Sequence, residues 1–452
     1  MVVTRGGFSQ VVRNAFAGMG FPPDAATVHE FPVEMFVAAS DLTPINENID
    51  KVVYGLTEWE PEIQEPGLYA AENITVTGKD YQEAFANMNL LWLKNMWGDG
   101  LPLLPATQES VNRILTGTDL SPDTMVGEGK ILPRGGIASV EALATVLAMA
   151  GGRPEYMPLL IAAVEAFTDP IQTHSAWNST TSSCYPAFIT NGPMAKQIRL
   201  SSGYGMLAPN PLYPAGASIG RAVRITLQAM GGAIAGIGTM ALYGGPARYT
   251  GLVFAEDEAG NPWGPLHVER GFAEGSNAVT VHTVASTVNV GSGVRYGTEE
   301  EALATLHFYA GFMSIPNGNY WGAPRYTEGS PGIVFLPRGY AQALANFGWS
   351  KEQIKADLWE FSKIPYDQMV RMGQQSRYED LEVSEGEAAP ITLKPENFMV
   401  IVAGGEQSGH GYWMQQGSVG GALPVSKEIK LPANWDELLE QAEQDLGPIP
   451  AG

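Results

Sequence analysis

Residues 251–272 read GLVFAEDEAGNPWGPLHVERGF. An apolar run, Leu252 to Ala255, passes directly into Glu256, Asp257 and Glu258; a Gly/Asn/Pro/Trp turn follows, and a second short run carries His267, Glu269 and Arg270. On extended backbone alternate side chains share a face, which groups Glu256 with Glu258 and His267 with Glu269. Two carboxylates and an imidazole could hold a divalent cation or act as a proton-transfer set. Arg270 could instead neutralise the acids in a structural ion-pair network. Ionisable residues are scarce, with only 16% of the chain charged, and their concentration here favours a site. Its expected catalytic residues are Glu256, Glu258, His267 and Glu269, with a divalent metal as an open cofactor.

Other stretches offer different chemistry. In KILPRGGIASVEAL, Arg134, Gly135 and Gly136 stand just before a helix start at Ser139. Free amides, a helix dipole and a guanidinium together suit a carboxylate or phosphate, although an ordinary capped helix with a surface arginine explains the same residues. The lone Cys184 lies at the end of a polar loop, SAWNSTTSSCYP. It is a candidate nucleophile, weighed against an inert small core residue. In VIVAGGEQSGHG, Gly404, Gly405 and His410 follow a buried-strand pattern, where open α/β sheets bind ligands. Asn191, in the strand-then-turn PAFITNGP, and Arg221, on a helix over 218–232, join Arg134, Gly135, Gly136 and His410 as expected substrate-binding residues. No GxGxxG, Walker loop, HExxH or CxxC is present.

The elements that must position these residues mix helices and strands throughout. Apolar residues at helical spacing predict a helix over 8–19, followed by a strand over 26–32 and a helix over 43–57. No strand is expected before the first helix, so the strand at 26–32 lacks a sheet of its own. Residues 58–80, rich in acids and proline, read as a linker. Beyond it come apolar helices at ASVEALATVLAMAG and PEYMPLLIAAVEAF, alternating strands at NAVTVHTVAST, a helical stretch over 346–375, an acidic excursion over 377–396 and a buried strand from 397. The fold class is α/β or α+β.

Composition sets the bounds. The chain has 452 residues and a net charge of −22, from 48 acidic and 26 basic side chains. That balance argues against nucleic acid or an anionic membrane surface as partner. One cysteine permits no intrachain disulfide. No signal-peptide pattern and no apolar run of membrane-spanning length is seen, so the expected location is cytoplasmic.

Together the segments GDGLPLLPAT (98–107), PRGG (133–136), GGRPEYMP (151–158), NGP (191–193), ASIGRAVR (217–224), PWGPLHVERGF (262–272) and VIVAGG (400–405) resemble a family of bacterial proteins with a domain named for a UGSC or CGSC motif. The resemblance runs from about residue 5 to the C-terminus. It implies a small flavodoxin-like α/β lobe (1–60), a linker (61–80) and a large mixed α/β domain (81–452). The CGSC motif itself is missing, and residues 8–57 match only the later half of the small domain. The resemblance therefore implies a small partner subunit carrying the thiol, in a hetero-oligomer. The resulting expectation is the large subunit of an enzyme that cleaves or reduces a carbon–heteroatom bond of a small anionic substrate. Two alternatives are a self-sufficient hydrolase or lyase using Cys184, and a non-catalytic scaffold subunit.

Overall fold

The computed structural model describes residues 2–5, 7–21, 28–31, 40–60, 62–63, 73–245, 252–291, 295–315, 329–374, 381–406, 409–417 and 423–449. Residues 26, 27 and 32 of the expected first strand, much of the expected linker and residues 377–380 of the acidic excursion lie outside that set.

Seven strands form the central sheet. They are β5 (Tyr185–Asn191), β6 (Leu252–Ala255), β7 (Ala278–Val290), β8 (Gly332–Leu336), β11 (Met399–Val402), β12 (Gly411–Gln416) and β13 (Val425–Glu428). Their order is β11-β8-β12-β7-β5-β6, with β13 paired to the first half of β7. β5 and β6 are parallel, as are β8 and β11, and the other pairs are antiparallel, so the sheet is mixed. The period-two alternation of a strand decides where each side chain goes. Ile189, Phe254, Phe335, Ile401 and Met414 point to one common face and form a core of their own. Their sequence neighbours Phe188 and Val253 pack on the other face against the helices Val140–Met149, Met157–Thr168 and Ala215–Ile225. Further along that face, Val334, Val400 and Trp413 pack against the helices Glu299–Met313, Arg338–Asn346 and Lys351–Phe361.

The sheet curls around the first face. Phe254 and Phe335 meet with ring centroids 5.4 Å apart, although they sit on strands far apart in the order. Just past β6, the amide of Asp257 donates to the carbonyl of Val402 at the end of β11 (2.8 Å). The two edges of the sheet thus touch at one end.

Two short hairpin-like pairs lie outside this sheet: β3 (Met125–Ile131) with β4 (Gly136–Ser139), and β9 (Ile364–Pro365) with β10 (Ala388–Ala389). At the N-terminus the structure corrects the sequence reading. A strand does precede the first helix: β1 (Val2–Arg5) pairs in parallel with β2 (Val28–Phe31) across the helix Ser9–Gly18, a β-α-β unit. The following helix is broken at Asn48 into Thr43–Glu47 and Ile49–Thr57, leaving Ile49, Val53 and Leu56 exposed. Among the described residues no third strand joins β1 and β2. The mixed α/β fold class holds, and no helix among the described residues is long and apolar enough to cross a membrane.

Two buried histidines make this fold acid-sensitive. His174 accepts a hydrogen bond at Nε2 from the amide of Leu132 (3.0 Å), and burial pushes its pKa down to about 4 against the pull of the Lys130 backbone. Burial, reinforced by the charge of Arg270, pushes His282 on β7 down to about 3. Both folded-state values lie below the unfolded value of 6.5, so the unfolded chain binds more protons below that pH. Stability is therefore full above 6.5 and falls as the pH drops towards about 4, by about 3 kcal/mol from His174 alone. Glu256, whose pKa is raised, acts in the opposite sense and is relieved by acid. Urea denaturation between about pH 7 and 4.5 is expected to show this loss, and His174→Gln to reduce proton uptake on unfolding by about one proton.

Candidate functional site

Because β5 and β6 are parallel, Asn191 and Glu256 leave the sheet at the same end, and the Glu256 amide donates to the Thr190 carbonyl (3.1 Å). The Glu256 carboxylate is buried there. It accepts from Asn191 Nδ2 (2.8 Å), Asn261 Nδ2 (2.8 Å) and the amide of Leu266 (2.7 Å). Burial pushes its pKa up, while the charge of Lys351 and the Leu266 and Asn191 donors pull it back. The same Asn191 Nδ2 reaches Glu258 Oε1 (2.9 Å), which also accepts from the Gly192 amide (2.6 Å). Glu256 and Glu258 do converge, with Asn191 as the link. The strand stops at Ala255, however, and Glu258 opens a short 3-10 turn, so what joins the two carboxylates is Asn191 and not the pleat.

The second half of the stretch differs from the expected extended run. Leu266–Glu269 is a single helical turn following Pro265. On a helix, residues two apart do not share a face, and His267 and Glu269 diverge. His267 is fully buried, with Nδ1 3.8 Å from Glu258 Oε1, too far for a hydrogen bond. Neither ring nitrogen has a hydrogen-bond partner among the described residues. Glu269 turns the other way. One carboxylate oxygen pairs with Lys351 Nζ and the other with Lys355 Nζ (2.8 Å). Lys351 also donates to the Gly264 carbonyl (3.1 Å).

Beyond this ion-pair group lies a cleft of about 480 Å³, within the usual size of small-molecule sites. Glu269, Arg270, Glu352, Lys355 and Glu396 bring charge to its lining, and Phe398 and Met399 bring apolar surface. Sequence reasoning missed Lys351 and Lys355. A signal existed, since SKEQIK places two lysines four apart on one face of a helix whose start is marked by a Ser350/Gln353 capping box. It also missed Arg338, which grips Asp257 with a bidentate pair (both 2.7 Å).

The remaining candidates sit elsewhere. Arg134 and Gly135 precede β4 and Gly136 begins it, so none of them opens the helix, whose start is capped by Ser139 accepting from the Ala142 amide. The Gly135 amide is used by the Ile131 carbonyl, and the Arg134 amide by the Gly231 carbonyl. A Cβ on Gly135 would come 2.5 Å from the Gly18 carbonyl oxygen, and one on Gly136 2.2 Å from that of Met230. These glycines permit close backbone contact with the first helix and with the 226–230 turn, so the anion-cradle expectation is replaced by a packing junction. Arg221 is a structural partner of Asp99 and the Pro102 carbonyl. Cys184 is buried in the helical core, with its thiol donating to the Gly417 carbonyl, and this placement removes it as an accessible nucleophile. His410 is exposed in the loop after β11. Among the described residues no three His, Cys, Asp or Glu side chains group as a metal-ligand set.

No protein-family model, curated protein or solved structure matches the chain.

Two substitutions separate the roles within the cluster. Glu256→Ala orphans three buried donors and is expected to lower stability by about 3 kcal/mol. His267→Leu removes an imidazole without hydrogen bonds at similar volume, and is expected to raise stability by about 1 kcal/mol. Denaturant titration of both variants checks this; a destabilised His267→Leu would show that the ring makes a favourable contribution in place.

Proposed function

We propose that the chain is the large component of an enzyme that breaks a carbon–heteroatom bond in a small molecule carrying an anionic group, with the cleft beside residues 266–270 as its substrate site. The observation that supports this reading is the placement of Glu269. Its carboxylate is shared between a buried lysine and a second lysine, and it lines a polar opening next to the buried Glu256 network. In this reading Glu269 takes the proton from the substrate and Lys355 delivers one to the departing heteroatom, while Lys351 holds the carboxylate in position from behind. Arg270 receives the anionic group. Such proton transfer at a positioned pair contributes typically ~100-fold or more to a rate.

A second, smaller chain carrying a thiol belongs to the same reading. It is suggested by the family resemblance in the sequence. A two-stranded parallel pair that no other described strand joins, and the exposed Ile49, Val53 and Leu56, are surfaces to which another polypeptide could add.

The test is turnover of a panel of small carboxylates and phosphates by the purified chain, alone and together with a small thiol protein encoded beside it. Glu269→Gln and Lys355→Met are each expected to lower kcat about 100-fold or more while the circular dichroism of the folded protein stays that of the parent. Glu269→Gln, which leaves the buried Lys351 ammonium without its paired carboxylate, also lowers the denaturation midpoint. Undiminished turnover in Glu269→Gln would refute the assignment.

A further inference from the structure

The cleft contains an arginine whose hydrogen bonds go only to neutral acceptors, with the charge of Glu269 acting on it without a hydrogen bond, and a carboxylate, Glu396, that pairs with no described residue. Glu352, also in the lining, lies in the field of Lys355 and Lys351. Arg270 gives Nε to the Ser426 hydroxyl and Nη2 to the Pro424 carbonyl (2.7 Å), both of them neutral acceptors. Glu396, from the 3-10 turn Pro395–Asn397, makes neither an ion pair nor a hydrogen bond with any described residue. The two line the same cleft without pairing with each other. By contrast Lys355, also in the lining, is matched by Glu269.

A ligand of one sign suits this lining poorly. A simple anion that satisfied Arg270 would bring negative charge towards Glu396, and a simple cation on Glu396 would face Arg270 and Lys355. A like charge brought into a partly dehydrated site is strongly unfavourable, whereas a charge-assisted hydrogen bond tightens binding about tenfold or more. Only a ligand with both signs gains at both ends. We infer that the cleft binds a small zwitterion of the amino-acid class, its carboxylate on Arg270, its ammonium on Glu396 and its side chain against Phe398 and Met399. This rests on the reading of the cleft as the substrate site and narrows the substrate from a small anion to one that also carries an ammonium group.

Binding to the full chain, measured by calorimetry without turnover, tests the inference. The probes are the standard amino acids and, for the tightest of them, the matched acid lacking the amine and the matched amine lacking the carboxylate. At least one amino acid is expected to bind, and each matched analogue to bind about tenfold or more weakly. Glu396→Gln is expected to abolish the preference over the deaminated acid, and Arg270→Gln the preference over the decarboxylated amine. Arg270→Met, which removes the charge and keeps most of the aliphatic stem, serves in place of Arg270→Gln if the latter does not fold. The inference is overturned if no amino acid binds at millimolar concentration, if either analogue binds as tightly, or if the preferences survive both substitutions. Zwitterion binding together with normal turnover by Glu269→Gln would sink the catalytic reading and leave this one standing. Glu269-dependent turnover restricted to simple carboxylates would do the reverse.

Discussion

The burial of the Glu256 carboxylate governs the local architecture. Removing a carboxylate from water disfavours its charged form, and such a group is tolerated only when donors surround it. Here the donors come from three places: Asn191 at the end of β5, Asn261 in the turn, and the amide of Leu266 at the start of the next helical turn. Satisfying one buried group therefore fixes three segments relative to one another. Holding the Leu266 amide also sets the direction of the helical turn that follows, with His267 inward and Glu269 towards Lys351 and Lys355. The polar wall of the cleft is a consequence of that carboxylate.

The curl of the sheet explains why the carboxylate lies where it does. A curled sheet that brings its edge strands together leaves fewer unpaired backbone groups open to water or to other chains. In this sheet the closure is not a full ladder. It consists of the Asp257 amide on the Val402 carbonyl, reinforced by the Asp257 carboxylate in the fork of Arg338, which follows β8. Consecutive residues at the end of β6 thus do different work: Ala255 belongs to the helical core, Glu256 organises the turn, and Asp257 clasps the far edge.

Much of this was visible in the sequence, and what was hidden was hidden for physical reasons. Val279 and Val281 declare their strand by alternation, and the run Met399–Val402 and the apolar helix at 157–168 declare themselves by continuous apolar character, because burial acts on every residue of the element. The four residues of β1 are too few for a periodic signal. His267 and Glu269 read as extended because nothing local shows that Glu256 captures the Leu266 amide. Gly135 and Gly136 read as an anion cradle because a glycine required by a close backbone looks the same as one required by a ligand; the backbones in question, at Gly18 and Met230, are about a hundred residues away in either direction. Lys351 and Lys355 were legible as a pair on a helix face, but their common partner lies 82 and 86 residues earlier.

The ion pairs of this sparsely charged chain divide by whether their hydrogen-bonding capacity is spent. At Asp257 and Arg338 both carboxylate oxygens meet the guanidinium fork, at Asp99 and Arg221 likewise, and such bidentate pairs hold segments together. The group around Glu269 is differently built. One carboxylate serves two ammonium groups, Arg270 hydrogen-bonds only neutral acceptors, and Glu396 pairs with no described residue, yet Glu269, Arg270, Glu352, Lys355 and Glu396 all border one cleft. Scaffold pairs lower the free energy of the fold by matching charges to each other. Charges along a concave surface that pair with no described residue contribute nothing of that kind to the fold, and water or a bound molecule is what meets them.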